Sequence, residues 1–371
     1  MTVERLLGGD GMSEIPTNDL PDKSSTELVQ EWEQAPARIK VIGVGGGGCN
    51  CVRRMLQHRH VPGVEFAVIN TDVKSLESVS GNHNIDSIQI GQKSTRGWGA
   101  GGDTNIGAKA AEESSAALRK VLKDAELVFI TAGMGGGTGT GAAAYVAYLA
   151  KEMGAVVVAV VTTPFSSEGS RRVDRAIAGV ARLRPYVDNL IVIHNDRLLE
   201  YVDHDAEMIE AFRTADEVVT QGIMSVSEII NVPGEINVDF ADVRTILSNP
   251  GGALMAIGTG HGHMGALEAA KQAIANPLLD ISIKGAKGVL FSVKGGEELT
   301  LGGVNAAGEL ISKSVSKDAD IYFGMSIEDD FEDRVSMTLI ATGLKQDDLA
   351  KAISSKGGGG GMFKSGGFFR R

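Results

Sequence analysis

The run Leu127–Thr131 passes straight into Ala132-Gly133-Met134-Gly135-Gly136-Gly137-Thr138-Gly139-Thr140-Gly141, and a helical pattern follows over about 139–153. An apolar run of this length reads as a buried strand. A strand, a glycine-rich loop and a helix in that order leave unpaired N–H groups at the helix start. Their positive potential suits an anion. Thr138 and Thr140 add hydroxyl donors.

A similar device lies upstream. Strand Ile39–Val44 runs into Gly43-Val44-Gly45-Gly46-Gly47-Gly48, and a helix is expected from about Cys49 to Arg59. With Asp72 just beyond a second strand, Glu65–Asn70, this formally matches a dinucleotide fingerprint. Four consecutive glycines cost too much chain entropy to serve a turn alone. One pyrophosphate needs one such loop, whereas two converging loops suit a longer anion such as a nucleoside triphosphate. No G-x-x-x-x-G-K-[ST] run occurs, and neither loop contains lysine. The charge therefore falls to backbone N–H groups and Mg²⁺. A third glycine-rich stretch, Gly97-Trp98-Gly99-Ala100-Gly101-Gly102-Asp103, opens another helix and could wrap a terminal phosphate.

Further strands are expected at Ala155–Val161 and Asn189–Ile193, with helices at 104–123 and 170–184. Strands alternating with helices predict an α/β domain with a mostly parallel sheet. Residues 206–231 form one long amphipathic pattern, with Phe212, Ala215, Val219, Ile223, Val226 and Ile230 at three- and four-residue steps. Pro233 and Gly234 end it. Beyond it, strands at Ala253–Gly258, Gly288–Val293, Ile321–Met325 and Val335–Thr342, with helices at 240–248, 264–275 and 301–315, predict a second, smaller α/β domain. The expected division is an acidic disordered tail over 1–37, a nucleotide domain over 38–205, a connecting helix over 206–232, a second domain over 233–345 and a flexible Gly/Ser/basic tail over 346–371. A short helix at Leu28–Glu33 is the one element expected in the first tail.

Composition narrows the function classes. The 371 residues are 43% apolar, enough for a sizeable core, which excludes disorder throughout. Lys+Arg 36 against Asp+Glu 47 gives a net charge of −11, the wrong sign for general nucleic-acid binding. Two cysteines, Cys49 and Cys51, cannot build a disulfide scaffold and point to a reducing compartment. No stretch has the length or apolarity of a signal peptide or membrane span, so a cytoplasmic protein is expected.

The run Gly135-Gly136-Gly137-Thr138-Gly139-Thr140-Gly141 matches the signature loop of tubulins, and from about Arg38 to Leu344 the chain resembles the prokaryotic cell-division GTPases of the tubulin/FtsZ family. The resemblance implies a tubulin-like fold: a Rossmann-like GTP-binding domain joined by a long central helix to a smaller α/β domain. It also implies GTP/GDP with Mg²⁺ as ligands. The phosphates would be held by Gly45, Gly46, Gly47, Gly48 and Asn50 of the first loop, Ala100, Gly101 and Gly102 of the third, and Gly135, Gly136, Gly137, Thr138, Gly139 and Thr140 of the second. Asn70-Thr71-Asp72 ends a strand where the family contacts nucleotide or metal; read alone, it is equally an Asx turn.

Pro164, Glu168 and Arg172 would meet the ribose and phosphates, although Glu168 and Arg172 also make an ordinary i,i+4 ion pair. Asn195, Phe212 and Asp216 correspond to the guanine pocket. A carboxylate there accepts from guanine N1–H and the 2-amino group, a donor pair that adenine lacks. Phe212 is a stacking face, a core residue of the amphipathic helix, or both.

Asn237, Asp239 and Asp242 correspond to the hydrolytic loop, which acts on the GTP of a neighbouring subunit. Without the resemblance, Asp239 and Asp242 read as the cap and first turn of a helix. Head-to-tail assembly into filaments of a midcell cytokinetic ring follows from the family, as do membrane-anchor and regulator partners at the C-terminus. Here Phe368-Phe369-Arg370-Arg371 has the apolar-basic flavour of such a partner motif but not its usual form. Two competitors stay open: a non-hydrolysing tubulin-like scaffold, and an NAD-binding oxidoreductase that leaves the second loop unexplained. Cys49 and Cys51 are either redox-sensitive or buried and inert, and His261-Gly262-His263 is a weak metal signal.

Overall fold

The computed structural model describes residues 36–57, 61–79, 85–198, 208–275 and 282–344. The helix expected at Leu28–Glu33, most of the acidic tail, the start of the long helix at 206–207 and the whole 346–371 tail with Phe368–Arg371 lie outside the described residues.

The first sheet contains β1 (Ile39–Val44), β2 (Val64–Asn70), β3 (Ile85–Gln89), β4 (Leu127–Gly133), β5 (Val156–Thr163) and β6 (Asn189–His194). Its order is β3-β2-β1-β4-β5-β6, and every neighbouring pair is parallel. The strand order reverses between β1 and β4, and in open parallel sheets ligands bind outside the carboxyl ends at such a reversal. The two longest glycine loops follow these two strands, so the topology alone brings them together. β3 is an addition to the sequence reading. It is an edge strand with Asp86 and Ser87 exposed, so it lacks the apolar run that marks the central strands.

Apolar runs in β4 and β5 arise because both faces are covered. Val156, Val158 and Val160 pack in one cluster, while Val157, Ala159 and Val161 pack in the other. Each such buried valine contributes roughly 1.5–3 kcal/mol over exposure.

Among the described residues the longer helices are α1 (Gly45–Met55), α2 (Thr104–Glu113), α3 (Ser115–Leu122), α4 (Thr138–Glu152), α5 (Ser170–Leu183), α6 (Met208–Asn231) and α7 (Phe240–Leu247), and, on the second sheet, α8 (Gly265–Ile274) and α9 (Leu301–Ser314). Two differences from the sequence reading matter. Helix α1 starts at Gly45 rather than Cys49, so the glycines themselves form its first turn. The expected helix 104–123 breaks at Ser114, whose hydroxyl accepts from the Gly91 N–H.

The second sheet contains β7 (Gly252–His261), β8 (Gly288–Gly295), β9 (Asp320–Ile327) and β10 (Arg334–Leu344), in the order β7-β10-β8-β9. β10 is antiparallel to both neighbours, and β8 and β9 are parallel, joined across α9. One apolar cluster runs from β1 and α1 through α6 (Val219, Ile223, Val226) to Val243, Leu290 and Ile340, so the two sheets share a core.

Candidate functional site

The three glycine loops pack on each other backbone to backbone. Gly45 has φ +73°, and a Cβ there would lie 2.6 Å from the Gly139 nitrogen; one on Gly47 would lie 3.0 Å from the Gly133 nitrogen. These contacts lock the first loop to the second. A Cβ on Gly137 would meet the Ala100 Cβ at 2.8 Å and the Asp103 nitrogen at 3.0 Å, which locks the second loop to the third. Gly135 packs against Pro164, just after β5, and Arg172 of α5. One glycine in each loop is different. At Gly46, Gly136 and Gly101 an added Cβ would meet nothing within 4 Å. Gly101 has φ +57°, which favours glycine by itself. At Gly46 and Gly136 neither packing nor a positive φ gives a reason for glycine; a ligand approaching the backbone does.

The threonines complete the frame. Thr140 Oγ1 accepts from the Gly135 N–H at 2.8 Å and holds the second loop closed. Thr138 Oγ1 lies 2.6 Å from Thr71 Oγ1, both buried, and ties that loop to the end of β2. Asn70 Oδ1 accepts from the N–H groups of Thr71 and Asp72, and Asp72 caps the short helix Val73–Glu77 through the Lys74 N–H. The Asx-turn use of this segment is therefore realised. Asn50 is exposed on α1 next to the loop.

Glu168 accepts from the Phe165 N–H at 2.8 Å and pairs with Arg172 at 2.9 Å, so the i,i+4 pair forms at the mouth of the second loop. Phe165 is buried and meets Phe212 edge-on at 5.1 Å, and 38% of Phe212 stays exposed. Phe212 therefore both packs and offers a free ring face. Asn195 is buried, and its Oδ1 finds no partner among the described residues, an orphaned acceptor of the kind a ligand donor satisfies. Asp216, further along α6, pairs with Arg54 of α1 at 3.0 Å. Burial pushes the Asp216 carboxyl up to about 6, against the pull of Arg54 and Arg53. Sequence reasoning missed Arg54: an arginine near a helix end carries no mark of which carboxylate it will meet.

The cysteines behind this pocket are buried. Cys51 contacts the Asp216 carbonyl and the Thr220 hydroxyl, and Cys49 accepts from Asn70. Burial pushes both thiols up to about 12, which leaves little thiolate and favours the inert alternative. His261 lies 3.7 Å from Asp333, and among the described residues no cluster of three or more His, Cys, Asp or Glu could hold a metal.

Asn237, Asp239 and Asp242 lie elsewhere. Helix α6 spans 24 residues, about 36 Å at 1.5 Å per residue. Its Asp216 region packs against α1 through Arg54 and Cys51. Its last residue, Asn231, bonds to both backbone groups of Ala37 and to the Pro62 carbonyl, which precede β1 and β2. The helix therefore runs from the carboxyl edge of the first sheet to its amino edge. The loop that follows is pinned to the second sheet by paired backbone bonds between Ile236 and Met325, and is closed on itself by the Asn237 Oδ1 accepting from the Gly234 N–H at 2.7 Å. Asp239 occupies the N-cap position of α7, yet its side chain makes no capping bond. It is exposed, and Asp242 is half-buried. The cap reading accounts for the position of Asp239 and leaves its carboxylate unused.

Residues 38–203 match the family described as the Tubulin/FtsZ family, GTPase domain, and residues 251–345 match the FtsZ family, C-terminal domain. Among solved structures, the chain is similar to an empty FtsZ dimer from M. jannaschii, with 40% identity over 86% of this chain and 91% of that one and a TM-score of 0.80. It shares the fold of CetZ2 from Haloferax volcanii, a GTPγS-bound protofilament, at 19% identity, covering 86% of this chain and 97% of that one, with a TM-score of 0.72. The GDP-bound CetZ1 monomer of the same organism gives 20% identity over 85% and 98%, also with a TM-score of 0.72.

Proposed function

The chain belongs to the tubulin/FtsZ family of GTPases, and from that premise we propose that it binds GTP in the three-loop cradle and hydrolyses it only when a second copy supplies Asn237, Asp239 and Asp242. The observation that carries this reading is the placement of cradle and carboxylates at opposite edges of one sheet, spanned by α6. The two cannot meet within one molecule. Stacking identical copies head to tail brings the loop of one onto the cradle of the next, and such contacts repeat without closing, giving filaments.

The backbone N–H groups near Gly46, Gly101 and Gly136 take the phosphate oxygens, with Mg²⁺ entering on the nucleotide to neutralise part of its charge. Asp216 accepts from guanine N1–H and the 2-amino group, Asn195 Oδ1 takes a further donor, and Phe212 offers its free face to the base. Pro164, Glu168 and Arg172 border the ribose. The incoming Asp239 and Asp242 orient and polarise the water that attacks the terminal phosphate. Trp98, 84% exposed on the third loop, gives the approaching copy an apolar surface to cover. On this reading the filament serves as a cytoplasmic division ring. No helix among the described residues is long and apolar enough to cross a membrane, and recruitment to one would fall to partners at Phe368–Arg371.

The test is phosphate release from GTP with Mg²⁺ over a range of protein concentrations. A threshold, with turnover rising in proportion to protein above it, is expected. Turnover per molecule that stays constant down to high dilution would refute a site completed between copies, and binding without turnover at any concentration would favour the scaffold.

A further inference from the structure

Helix α5 carries Arg171, Arg172 and Arg175 in its first two turns. Arg172 turns to Glu168. Arg175 turns the other way: its Nη1 donates to the Gly102 carbonyl at 2.5 Å, and its Nε donates to the Arg171 carbonyl at 3.2 Å. The guanidinium is thus held at two points. Gly102 has φ +79°, and a Cβ there would lie 2.6 Å from Nη1, so the loop and the cation are in direct contact. Neighbouring Gly101 has open space around it.

A loop that binds an anion must turn its N–H groups toward it and its carbonyls away. A free carbonyl among those N–H groups repels phosphate oxygen. Engaging the Gly102 carbonyl with a cation removes that repulsion, fixes the orientation of its peptide, and sets a full positive charge behind the loop. On its other side the third loop is tied to β2, through the Gly99 N–H to the Thr71 carbonyl at 3.4 Å and the Trp98–Asp72 bridge. Arg175 links it to the helix that follows the ribose segment.

We propose that Arg175 is the positioning residue that presents the Ala100–Gly102 backbone to the terminal phosphate, so that the cradle distinguishes a nucleoside triphosphate from a diphosphate. This rests on the GTP reading of the cradle. The first two loops hold the inner phosphates in either ligand; the third is engaged only by the outermost. Arg175 therefore acts on triphosphate affinity and leaves diphosphate affinity alone.

The experiment is equilibrium binding of GTPγS and of GDP, with Mg²⁺, to the full chain, to Arg175→Met and to Arg175→Lys, at protein concentrations below assembly. Arg175→Met is expected to weaken GTPγS by roughly tenfold, the scale of one lost hydrogen bond to a charged group, with GDP within twofold. Arg175→Lys should recover part of the loss. Equal weakening of both nucleotides, or of neither, would overturn the proposal, because a purely structural bond has no reason to sense the third phosphate. Should Arg175→Met fail to fold, Arg175→Gln, which keeps a donor but lacks the charge, should give a smaller selective loss of the same kind. An unaltered chain that binds neither nucleotide would instead overturn the reading of the cradle itself, and this proposal with it.

Discussion

On the proposed reading, the chemistry at the carboxyl edge of the first sheet belongs to the backbone, and in the loop before α7 it belongs to side chains. The first region must keep the chain bare: Gly45, Gly139 and Gly137 stand where loops touch, Gly101 has φ +57°, and Gly46 and Gly136 are under neither constraint. The second needs only an amide and two carboxylates three residues apart, a pattern that thousands of helix starts share. Backbone sites reveal themselves in sequence because their demand on residue type is extreme. Side-chain sites reuse the ordinary vocabulary of capping.

Substitutions at the two kinds of glycine break this contrast most directly. Gly45→Ala places a Cβ 2.6 Å from the Gly139 nitrogen at a positive φ. It should abolish GTP binding and lower the melting temperature by several degrees. Gly46→Ala meets no neighbour, so its melting temperature should match the parent while GTP binding weakens by roughly tenfold or more. An unchanged affinity in Gly46→Ala would mean that this face of the first loop is not a phosphate site.

In the other region, Asp242→Ala should keep GTP affinity and lose turnover by about a hundredfold or more, measured as phosphate release at saturating GTP. Mixing it with Asp216→Ala, which lacks the base contact but keeps the loop, should restore activity above that of either variant alone. Failure of the mixture to recover activity would argue against two sites shared between copies.

Asp216 sharpens the comparison by pH. Burial raises its folded-state value to about 6, above the usual carboxylate range of about 4 in an unfolded chain. Between those values the folded chain holds a proton that the unfolded chain releases. The nucleotide-free protein should therefore lose stability as pH rises from about 4 to 6. Guanine recognition needs the ionised carboxylate, so GTP affinity should climb over the same window and level off above it. Opposite slopes of melting temperature and affinity are expected; parallel slopes would remove Asp216 from the base pocket. The smallest effect belongs to a control: Thr300 Oγ1 accepts from the Gly303 N–H at 3.1 Å to cap α9. Thr300→Ala should cost about 1 kcal/mol in denaturant unfolding with GTP affinity unchanged.

Most of the sheet framework was legible in the chain, since strands covered on both faces show as unbroken apolar runs such as Ala155–Val161. β3 was not, because an edge strand with exposed Asp86 and Ser87 has no such run. The break at Ser114 was hidden for a different reason: the residues on both sides favour helix, and the hydroxyl bond to Gly91 comes from 23 residues away. Within the site the glycines were legible, whereas the partners of Asp216 and Gly102 were not. Arg54 and Arg175 acquire their roles from tertiary approach, which local pattern does not encode.

Helix α6 also fixes what the two tips of any head-to-tail stack must be. Each copy joins its base pocket to its own loop through about 22 Å of continuous helix between Asp216 and Asn231. One terminal copy then exposes a loaded cradle with no carboxylates above it, and the opposite terminal copy exposes carboxylates with no nucleotide below. The stack has a direction. On the proposed reading, GTP at the open cradle stays intact until another molecule lands there, so the state of the nucleotide tells one tip from the other.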